Sequence, residues 1–338
     1  MPRVDLRRLE RVLAAFSRVR LLVVGDVMLD EYLWGDVDRV SPEAPVPVVH
    51  VTRESMALGG AGNVVRNVVA MGAACRFCGV VGADDAGRCI TDLFKDLGVD
   101  VAGLVTVEGR PTTRKTRIEA RSQQMLRVDR ETDEPIAKEA ARALLDAVAA
   151  ELPGSDGVIL EDYGKGVLQS RVLKALMREV RKVGLPVTVD PKEEVASFKG
   201  ASLVKPNQRE VEQLTGIRIR TRDDLVRAVA KLRRALGGSD MIVTRGADGM
   251  TVFEGEAEPV DVPIAHSEVY DVQGAGDTSI AALTIARLAG ASLHEAAIRA
   301  NAAAGVVVGK LGTATATPDV SRDCLPAAAD AARGGARR

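Results

Sequence analysis

Residues 271–279 read DVQGAGDTS and place two glycines and an aspartate where an irregular segment gives way to a helical run. Glycine lets backbone N–H groups approach an anion closely, and the free N–H groups at a helix start stabilise negative charge. Asp277 would repel such an anion, unless it accepts a proton from a hydroxyl group that attacks a phosphoryl group held there. The other interpretation is an N-cap aspartate beside glycines that allow close packing.

Further polar residues that could do chemistry lie just after β-like runs of the sequence. Ligands of open parallel sheets gather beyond the carboxyl ends of the strands, so these positions define a candidate site. They are Asp26, Asp30 and the segments 59–63, 161–166, 190–192, 205–210 and 244–246. The sequence has no Walker A pattern, and no GxGxxG opens a helix after a strand, which removes the usual support for P-loop and dinucleotide-binding sites.

The elements that must position these residues follow a regular rhythm. Short β-branched runs such as LLVVGDVM (21–28) and GVILEDY (157–163) alternate with helical patterns. This predicts an α/β fold with a mostly parallel sheet covered by helices on both faces. Two stretches break the rhythm: 33–51 carries three prolines, which exclude a central strand, and 112–130 reads as two alternating strands around a polar turn. Together they predict a small β lid built from about 33–52 and 110–130.

Length and composition bound the kind of protein. The 338 residues are 46% hydrophobic and 28% charged, and the net charge of -1 gives no general attraction to nucleic acid or anionic lipid. No apolar run approaches the ~18 residues that span a bilayer. We therefore expect a cytoplasmic protein with no nucleic-acid or membrane partner. The small-residue, basic segment 326–338 is expected to be a disordered tail.

Three motifs occur in one order at suitable spacing: GGAGN at 59–63, NxxE at 207–210 and DVQGAGD at 271–277. With an aspartate after the first strand, they resemble the ribokinase/phosphofructokinase-B family of sugar kinases over nearly the whole chain. The resemblance implies a single ribokinase-like domain over residues 1–325 with a β lid. It also implies ATP and Mg²⁺ as cofactors, with a monovalent cation as an open addition, and a homodimer that pairs through the lid.

Two segments, SPEAPVP (41–47) and RPTTRKTR (110–117), resemble the branch of this family that acts on heptose 7-phosphates. This implies ATP-dependent phosphorylation of D-glycero-β-D-manno-heptose 7-phosphate at its C1 hydroxyl, giving the 1,7-bisphosphate. The setting would be ADP-heptose synthesis for the lipopolysaccharide inner core, by a single-function kinase with no adenylyltransferase segment. The alternatives are another kinase of the family, for ribose, fructose or ketodeoxygluconate, and a non-catalytic nucleotide or sugar sensor.

The resemblance assigns the reaction centre. It implies that Asp277 is the general base that activates the sugar hydroxyl. The transferring phosphoryl group would be held by the N–H groups of Gly274, Ala275 and Gly276. The sequence has Gln273 where many relatives carry threonine before GAGD. That departure leaves open a side-chain contact to a monovalent cation.

The nucleotide side is assigned in the same way. Asn207 and Glu210 lie one helical turn apart and could organise Mg²⁺, with Glu210 acting through water. The same spacing fits an N-cap asparagine with a capping-box glutamate, and the two roles can coexist. The implied nucleotide-binding residues are Asn207, Gln208, Arg209, Glu210, Thr244, Arg245, Gly246, Asn301, Lys310 and Gly312.

For the sugar, Asp30 can accept two hydroxyl hydrogen bonds and Asn63 offers both a donor and an acceptor. The segment 110–130 holds seven basic and two acidic residues, which suits a sugar phosphate, although solvated charges on an edge strand are the simpler interpretation. Asp26 could contact the sugar or cap a turn. The candidate substrate-binding residues are Asp26, Asp30, Gly59, Gly60, Asn63, Lys115, Arg117, Lys165 and Lys192.

Overall fold

The computed structural model describes residues 5–121, 123–192, 195–264, 272–309 and 314–318. In this part of the chain nine strands form one sheet, which contains, in spatial order, β13 (Val260–Val262), β12 (Met250–Phe253), β11 (Asp240–Thr244), β10 (Leu203–Val204), β9 (Val187–Asp190), β8 (Gly157–Glu161), β1 (Arg20–Gly25), β4 (Ala74–Gly82) and β5 (Leu104–Val107). In this spatial order, neighbouring strands from β11 through to β5 pair in parallel. At the opposite edge, β12 pairs antiparallel with both β11 and β13. The predicted mostly parallel sheet is confirmed, with two edge strands that the prediction lacked.

Helices cover both faces of this sheet, as predicted. They are α1 (Leu6–Ala14), α2 (Ala61–Ala70), α3 (Asp85–Asp96), α4 (Lys138–Glu151), α5 (Ser170–Val183), α6 (Gln208–Thr215), α7 (Arg222–Leu236), α8 (Ala275–Leu288) and α9 (Leu293–Val308). Alternate residues of β1 point to opposite faces. Leu21 and Val23 belong to the core formed with α1, α2, α3, α8 and α9, and Leu22 and Val24 to the core formed with α4, α5, α6 and α7.

A second sheet, the lid, contains β3 (Pro47–Gly60), β2 (Val27–Val40), β6 (Arg114–Ala120) and β7 (Gln123–Arg130) in that spatial order. Strand β2 is antiparallel to β3 but parallel to β6. Pro42 and Pro45 lie in the connection between β2 and β3, where no ladder N–H is required. Because β2 begins just after β1 and β3 runs directly into α2, the lid reaches closer to the main sheet than the predicted 33–52.

Among the described residues, no helix is long and apolar enough to cross a bilayer. The segment 326–338, predicted to be a disordered tail, lies outside the described residues. The predicted domain boundary at residue 325 lies outside them as well.

Candidate active site

The predicted base, Asp277, lies in the first turn of α8, and its side chain is buried. Its Oδ1 accepts a hydrogen bond from the Tyr163 hydroxyl at 2.6 Å, and its Oδ2 accepts one from Asn63 Nδ2 at 2.7 Å. Burial raises the pKa of Asp277 to about 6, and the two hydrogen bonds act in the opposite direction. Such a carboxylate is largely ionised at pH 7 and is a stronger base than a free aspartate.

The glycines before Asp277 shape the start of α8. Gly274 has a φ of 77°, in the left-handed region, and a Cβ added there would lie 2.8 Å from Asn63 Nδ2. Both facts restrict this position to glycine. Because α8 begins at Ala275, the N–H group of Gly276 has no carbonyl partner within the helix, whereas the Ala275 N–H donates to the Val272 carbonyl at 3.3 Å. The helix start can therefore hold an anion beside the base.

Asn63 is fixed in place by polar contacts between α2 and α8. Its Nδ2 is committed to Asp277, and its Oδ1 accepts from Arg66 at 3.3 Å. Asn67, one turn later on α2, donates to the Asn63 carbonyl and accepts from the Thr278 hydroxyl, both at 2.9 Å. The residue predicted to bind sugar thus orients the base in this structure.

Asp30, the predicted sugar-binding carboxylate, pairs with Arg117 across the lid strands β2 and β6. Asp30 Oδ1 lies 2.6 Å from Arg117 Nη1, and both side chains are 7% exposed. The guanidinium group also lies 5.3 Å from the centroid of the Tyr32 ring. In the amide orientation that satisfies both of its polar atoms, Gln273 accepts from Arg117 Nε at 3.1 Å. Gln273 therefore connects this ion pair to the loop before Asp277.

The end of β3 passes close to two aspartates. A Cβ added at Gly59 would collide with the Asp30 carboxylate, and one added at Gly60 would press on the Asp26 carbonyl. The Asp26 side chain is buried and accepts from three backbone N–H groups of the segment 163–167, at 2.9, 3.1 and 3.2 Å. Burial raises the pKa of Asp26, and these donors act against it. In this structure Asp26 therefore holds the loop that contains Tyr163, whose hydroxyl donates to Asp277.

Four residues that the sequence placed in the candidate site received no role in the prediction. Glu161, Asp190 and Lys205 end or follow the strands β8, β9 and β10, and Tyr163 follows β8. Lys205 Nζ lies 2.6 Å from Asp190 Oδ2, and burial raises the pKa of Glu161 well above its usual value. Burial acts to lower the pKa of Lys205, but the carboxylates of Asp190 and Glu161 raise it above its usual value. Their position at strand ends was the available signal.

Asn207 and Glu210 form the capping box of α6. The Glu210 N–H donates to Asn207 Oδ1 at 2.9 Å, and the Asn207 N–H donates to Glu210 Oε2 at 2.8 Å. Both residues line an open cleft of about 640 Å³ together with Lys192 and Arg209. Burial raises the pKa of the Glu210 carboxyl group. The capping interpretation is confirmed, and the metal role stays a prediction.

A mainly apolar pocket of about 340 Å³ borders the start of α8. It brings the predicted residues Thr244, Gly246 and Asn301 together with Ala275 and Gly276. The Asn301 amide donates to two backbone carbonyls at and after the end of β13, at 3.2 and 2.9 Å, and so shapes the pocket wall. The size and apolar lining suit the ring of a small planar ligand.

Two other predicted nucleotide contacts do not line this pocket. Gln208 and Arg245 line a separate pocket, where Arg245 Nη2 lies 3.5 Å from Asp248 Oδ2. Lys310 and Gly312 lie outside the described residues.

Two of the predicted phosphate contacts converge on one carboxylate. Lys115 Nζ lies 2.9 Å from Glu131 Oε2, and Lys165 Nζ lies 2.8 Å from Glu131 Oε1. Lys115 is also 3.1 Å from Asp129 Oδ2. Lys192 lies elsewhere and lines the polar cleft beside α6.

Comparison with known proteins agrees with this arrangement. Residues 19–320 match the model of the pfkB family carbohydrate kinases. The chain belongs to this family. The pfkB-family chain is 43% identical over 316 residues to Bifunctional protein HldE of Geotalea uraniireducens, covering 93% of the chain and 64% of that relative. It is 46% identical over 301 residues to the protein of the same name from Desulfatibacillum aliphaticivorans, covering 89% and 62%. It thus spans a little less than two thirds of the length of these relatives.

A solved structure shows the same fold. The pfkB-family chain superposes on the Arabidopsis thaliana ribokinase complexed with ribose and ATP with a TM-score of 0.71 at 22% identity. The match covers 91% of this chain and 98% of that chain. The ribokinase-like fold predicted from the sequence is confirmed. As a member of the pfkB family, the chain is a carbohydrate kinase that uses ATP.

Proposed function

We propose that the chain transfers the γ-phosphoryl group of ATP to the C1 hydroxyl of D-glycero-β-D-manno-heptose 7-phosphate and so forms the 1,7-bisphosphate. The observation that carries the substrate class is the convergence of Lys115 and Lys165 on one carboxylate, because a neutral sugar has no use for two facing ammonium groups. The identity to Bifunctional protein HldE supports the same substrate. The proposed setting is cytoplasmic ADP-heptose synthesis for the lipopolysaccharide inner core.

In this reaction Asp277 accepts the proton of the C1 hydroxyl while the sugar oxygen attacks the γ-phosphorus and ADP leaves. Tyr163 and Asn63 each donate to one oxygen of the carboxylate, which fixes its plane before the sugar binds. A base held in this way loses little freedom on reaching the transition state. Its pKa of about 6 keeps it ionised at neutral pH.

The first-turn N–H groups of α8 would stabilise the charge of the transferring phosphoryl group. Mg²⁺, when bound, would supply positive charge for the ATP phosphates, and Glu210 and Asp190 would hold it through water. Among the described residues there is no group of three or more carboxylate, histidine or cysteine side chains that could hold a metal ion. This fits an ion held largely by phosphate oxygens and water. The apolar pocket lined by Thr244, Gly246 and Asn301 would take the adenine ring.

We also propose that the chain forms a homodimer through the lid. Met56, Leu126 and Val128 are exposed, and their strand registers place them on the lid face opposite Asp30 and Arg117. An exposed apolar sheet face next to the edge strand β7 is suited to cover by a second copy. Sedimentation should give a dimer for the unmodified chain and a monomer for Leu126→Glu. A monomeric unmodified chain would contradict the dimer.

The substrate is tested by ADP release with Mg²⁺-ATP across a panel of neutral sugars and sugar phosphates. We expect the highest kcat/KM for the heptose 7-phosphate. A preference for a neutral pentose or hexose would instead identify the ribokinase or fructokinase alternative and would overturn the proposed substrate.

A further inference from the structure

Glu131 lies between two lysines that the sequence predicts to bind a phosphate group. It follows β7 directly, and its Oε2 is 2.9 Å from Lys115 Nζ in the lid. Its Oε1 is 2.8 Å from Lys165 Nζ, in the loop after β8. Each carboxylate oxygen of Glu131 is thus paired with one lysine ammonium group. Two oxygens of a phosphate group can take the same two positions.

This bridge borders the same site as the base. Lys115 is the register partner of Asp30 in the parallel pair β2–β6, so both side chains point to the same lid face. Lys165 comes two residues after Tyr163, whose hydroxyl donates to Asp277. The two lysines therefore belong to opposite walls of the sugar site, one from the lid and one from the main domain.

The bridge is charged and only partly shielded from solvent. The side chains of Glu131, Lys115 and Lys165 are 28%, 16% and 20% exposed, so a dissolved anion can reach them. Burial opposes ionisation, but the hydrogen bonds and charges of the two lysines lower the pKa of Glu131. Lys115 is also held by Asp129, so it keeps its orientation when Glu131 moves away.

We propose that Glu131 is an internal competitor for a phosphate subsite formed by Lys115 and Lys165, and that the phosphate group of the sugar substrate displaces it. The proposal rests on the proposed sugar-phosphate kinase function. A phosphate monoester carries about −1.5 to −2 charges at pH 7, whereas a carboxylate carries one, so the phosphate gains more from two lysines. A neutral sugar leaves the bridge closed. Glu131 therefore weakens the binding of the sugar phosphate, whereas it leaves the binding of a neutral sugar unchanged.

The test is the KM for the heptose 7-phosphate in a Glu131→Gln variant at saturating Mg²⁺-ATP. Glutamine keeps the size of the side chain and removes its charge. We expect this KM to fall about threefold to tenfold, as two half-buried ion pairs imply. An unchanged or raised KM overturns the proposal.

The matched control is Glu54→Gln, which removes one carboxylate from the exposed part of lid strand β3. We expect its KM for the sugar phosphate to equal that of the unmodified enzyme. An equal fall in both variants would assign the effect to the general charge of the lid and would overturn the proposal.

A double-mutant cycle tests whether the competition is local. In a Lys165→Met background the subsite has lost one of its two lysines, so Glu131→Gln should lose most of its effect on KM. An undiminished effect would overturn the assignment of Lys165 to the subsite.

Inorganic phosphate separates this inference from the proposed function. With the nucleotide site saturated by a non-hydrolysable ATP analogue, calorimetric titration should show tighter phosphate binding to Glu131→Gln than to the unmodified chain. That result supports the competitor even if no heptose phosphate is turned over. Equal or weaker binding overturns the competitor and leaves the proposed function in place.

Discussion

The Tyr163 hydroxyl donates a 2.6 Å hydrogen bond to Oδ1 of Asp277. Burial, together with the negative charges of nearby carboxylates, raises the pKa of Tyr163 well above its usual value, so the hydroxyl stays protonated and remains a donor. A donor stabilises the charged form of a carboxylate and lowers its pKa. The pKa of about 6 at Asp277 therefore reflects burial, which raises it, and the donors Tyr163 and Asn63, which lower it.

Tyr163→Phe removes this donor and keeps the ring. Activity needs ionised Asp277, so kcat/KM should fall as the pH drops through about 6 in the unmodified enzyme. In the variant, the acid limb should move up by about one pH unit, the size expected for a lost hydrogen bond to a charged group. The measurement is the pH profile of kcat/KM.

Tyr32→Phe is the matched control for this prediction. It removes a hydroxyl of the same site that lies 3.3 Å from the Gln273 side-chain amide and makes no hydrogen bond to the base. Its acid limb should stay near that of the unmodified enzyme. If the limb moved equally in both variants, Tyr163 would have no specific effect on Asp277.

Asp277→Asn should remove the base while preserving its size. We expect kcat to fall roughly 10²- to 10⁴-fold, the usual contribution of general base catalysis, with ATP binding unchanged. Single-turnover kinetics and calorimetric nucleotide binding measure the two quantities. A variant that kept its kcat would remove Asp277 from the mechanism.

The same substitution should change how stability depends on pH. The pKa of Asp277 is raised in the folded state, so its contribution to stability is present at low pH and is lost as the pH rises through about 6. Asp277→Asn carries no charge to desolvate. Its melting temperature, relative to the unmodified chain, should therefore be higher at pH 8 than at pH 5. A constant difference at both pH values would contradict the buried, ionised carboxylate.

Local patterns made part of the site predictable. Asp277 and the glycines before it are contiguous, and the capping box of Asn207 and Glu210 depends on a three-residue spacing. The role of Tyr163 as a donor was not predicted because its loop is held by Asp26, which lies 137 residues earlier. No local pattern encodes such a contact.

Long-range strand pairing decided the rest of the site. Asp30 and Arg117 were both predicted to bind substrate, but their ion pair joins residues 87 positions apart through the parallel pairing of β2 with β6. In the main sheet, the parallel strands followed from continuous apolar runs between helices. The antiparallel edge was missed because β12 and β13 have only four and three residues, too few to show a period.

Breaking the Asp30–Arg117 pair should destabilise the lid. Arg117→Met leaves the Asp30 carboxylate buried without its cation, which typically costs about 3–5 kcal/mol. Asp30→Asn combined with Arg117→Met should recover part of this loss, because no charge is then left unpaired. Urea denaturation of the two variants measures the difference. Equal destabilisation of the single and double variants would show that the pair contributes through packing instead.

Glu210→Gln should weaken the response to Mg²⁺ while preserving the start of α6. Glutamine also serves at the third position of a capping box, so the helix keeps its cap. The carboxylate charge that would order the water ligands of Mg²⁺ is lost. We expect the Mg²⁺ concentration for half-maximal activity to rise about tenfold, as typical of an outer-shell partner of a metal ion.

The second capping box, Thr221 and Asp224 at the start of α7, provides the control. Asp224→Asn removes a carboxylate from the same position of a helix that does not line the polar cleft. Its Mg²⁺ dependence should equal that of the unmodified enzyme. A shared rise would assign the effect to helix stability rather than to the metal.

Gln273 makes a further contact that should affect the binding of the sugar and not the binding of the nucleotide. Its amide oxygen accepts from Arg117 Nε at 3.1 Å, so it holds a lid cation beside the loop that starts α8. Gln273→Leu keeps the length of the side chain and removes this acceptor. Because hydrogen bonds to charged groups contribute about 1.5–3 kcal/mol, we expect the KM for the sugar to rise about tenfold. Val272→Ala is the contrast, since Val272 lines the apolar pocket and should affect the KM for ATP. If Gln273→Leu changed only the KM for ATP, Gln273 would act on the nucleotide side and its contact with Arg117 would not set sugar binding.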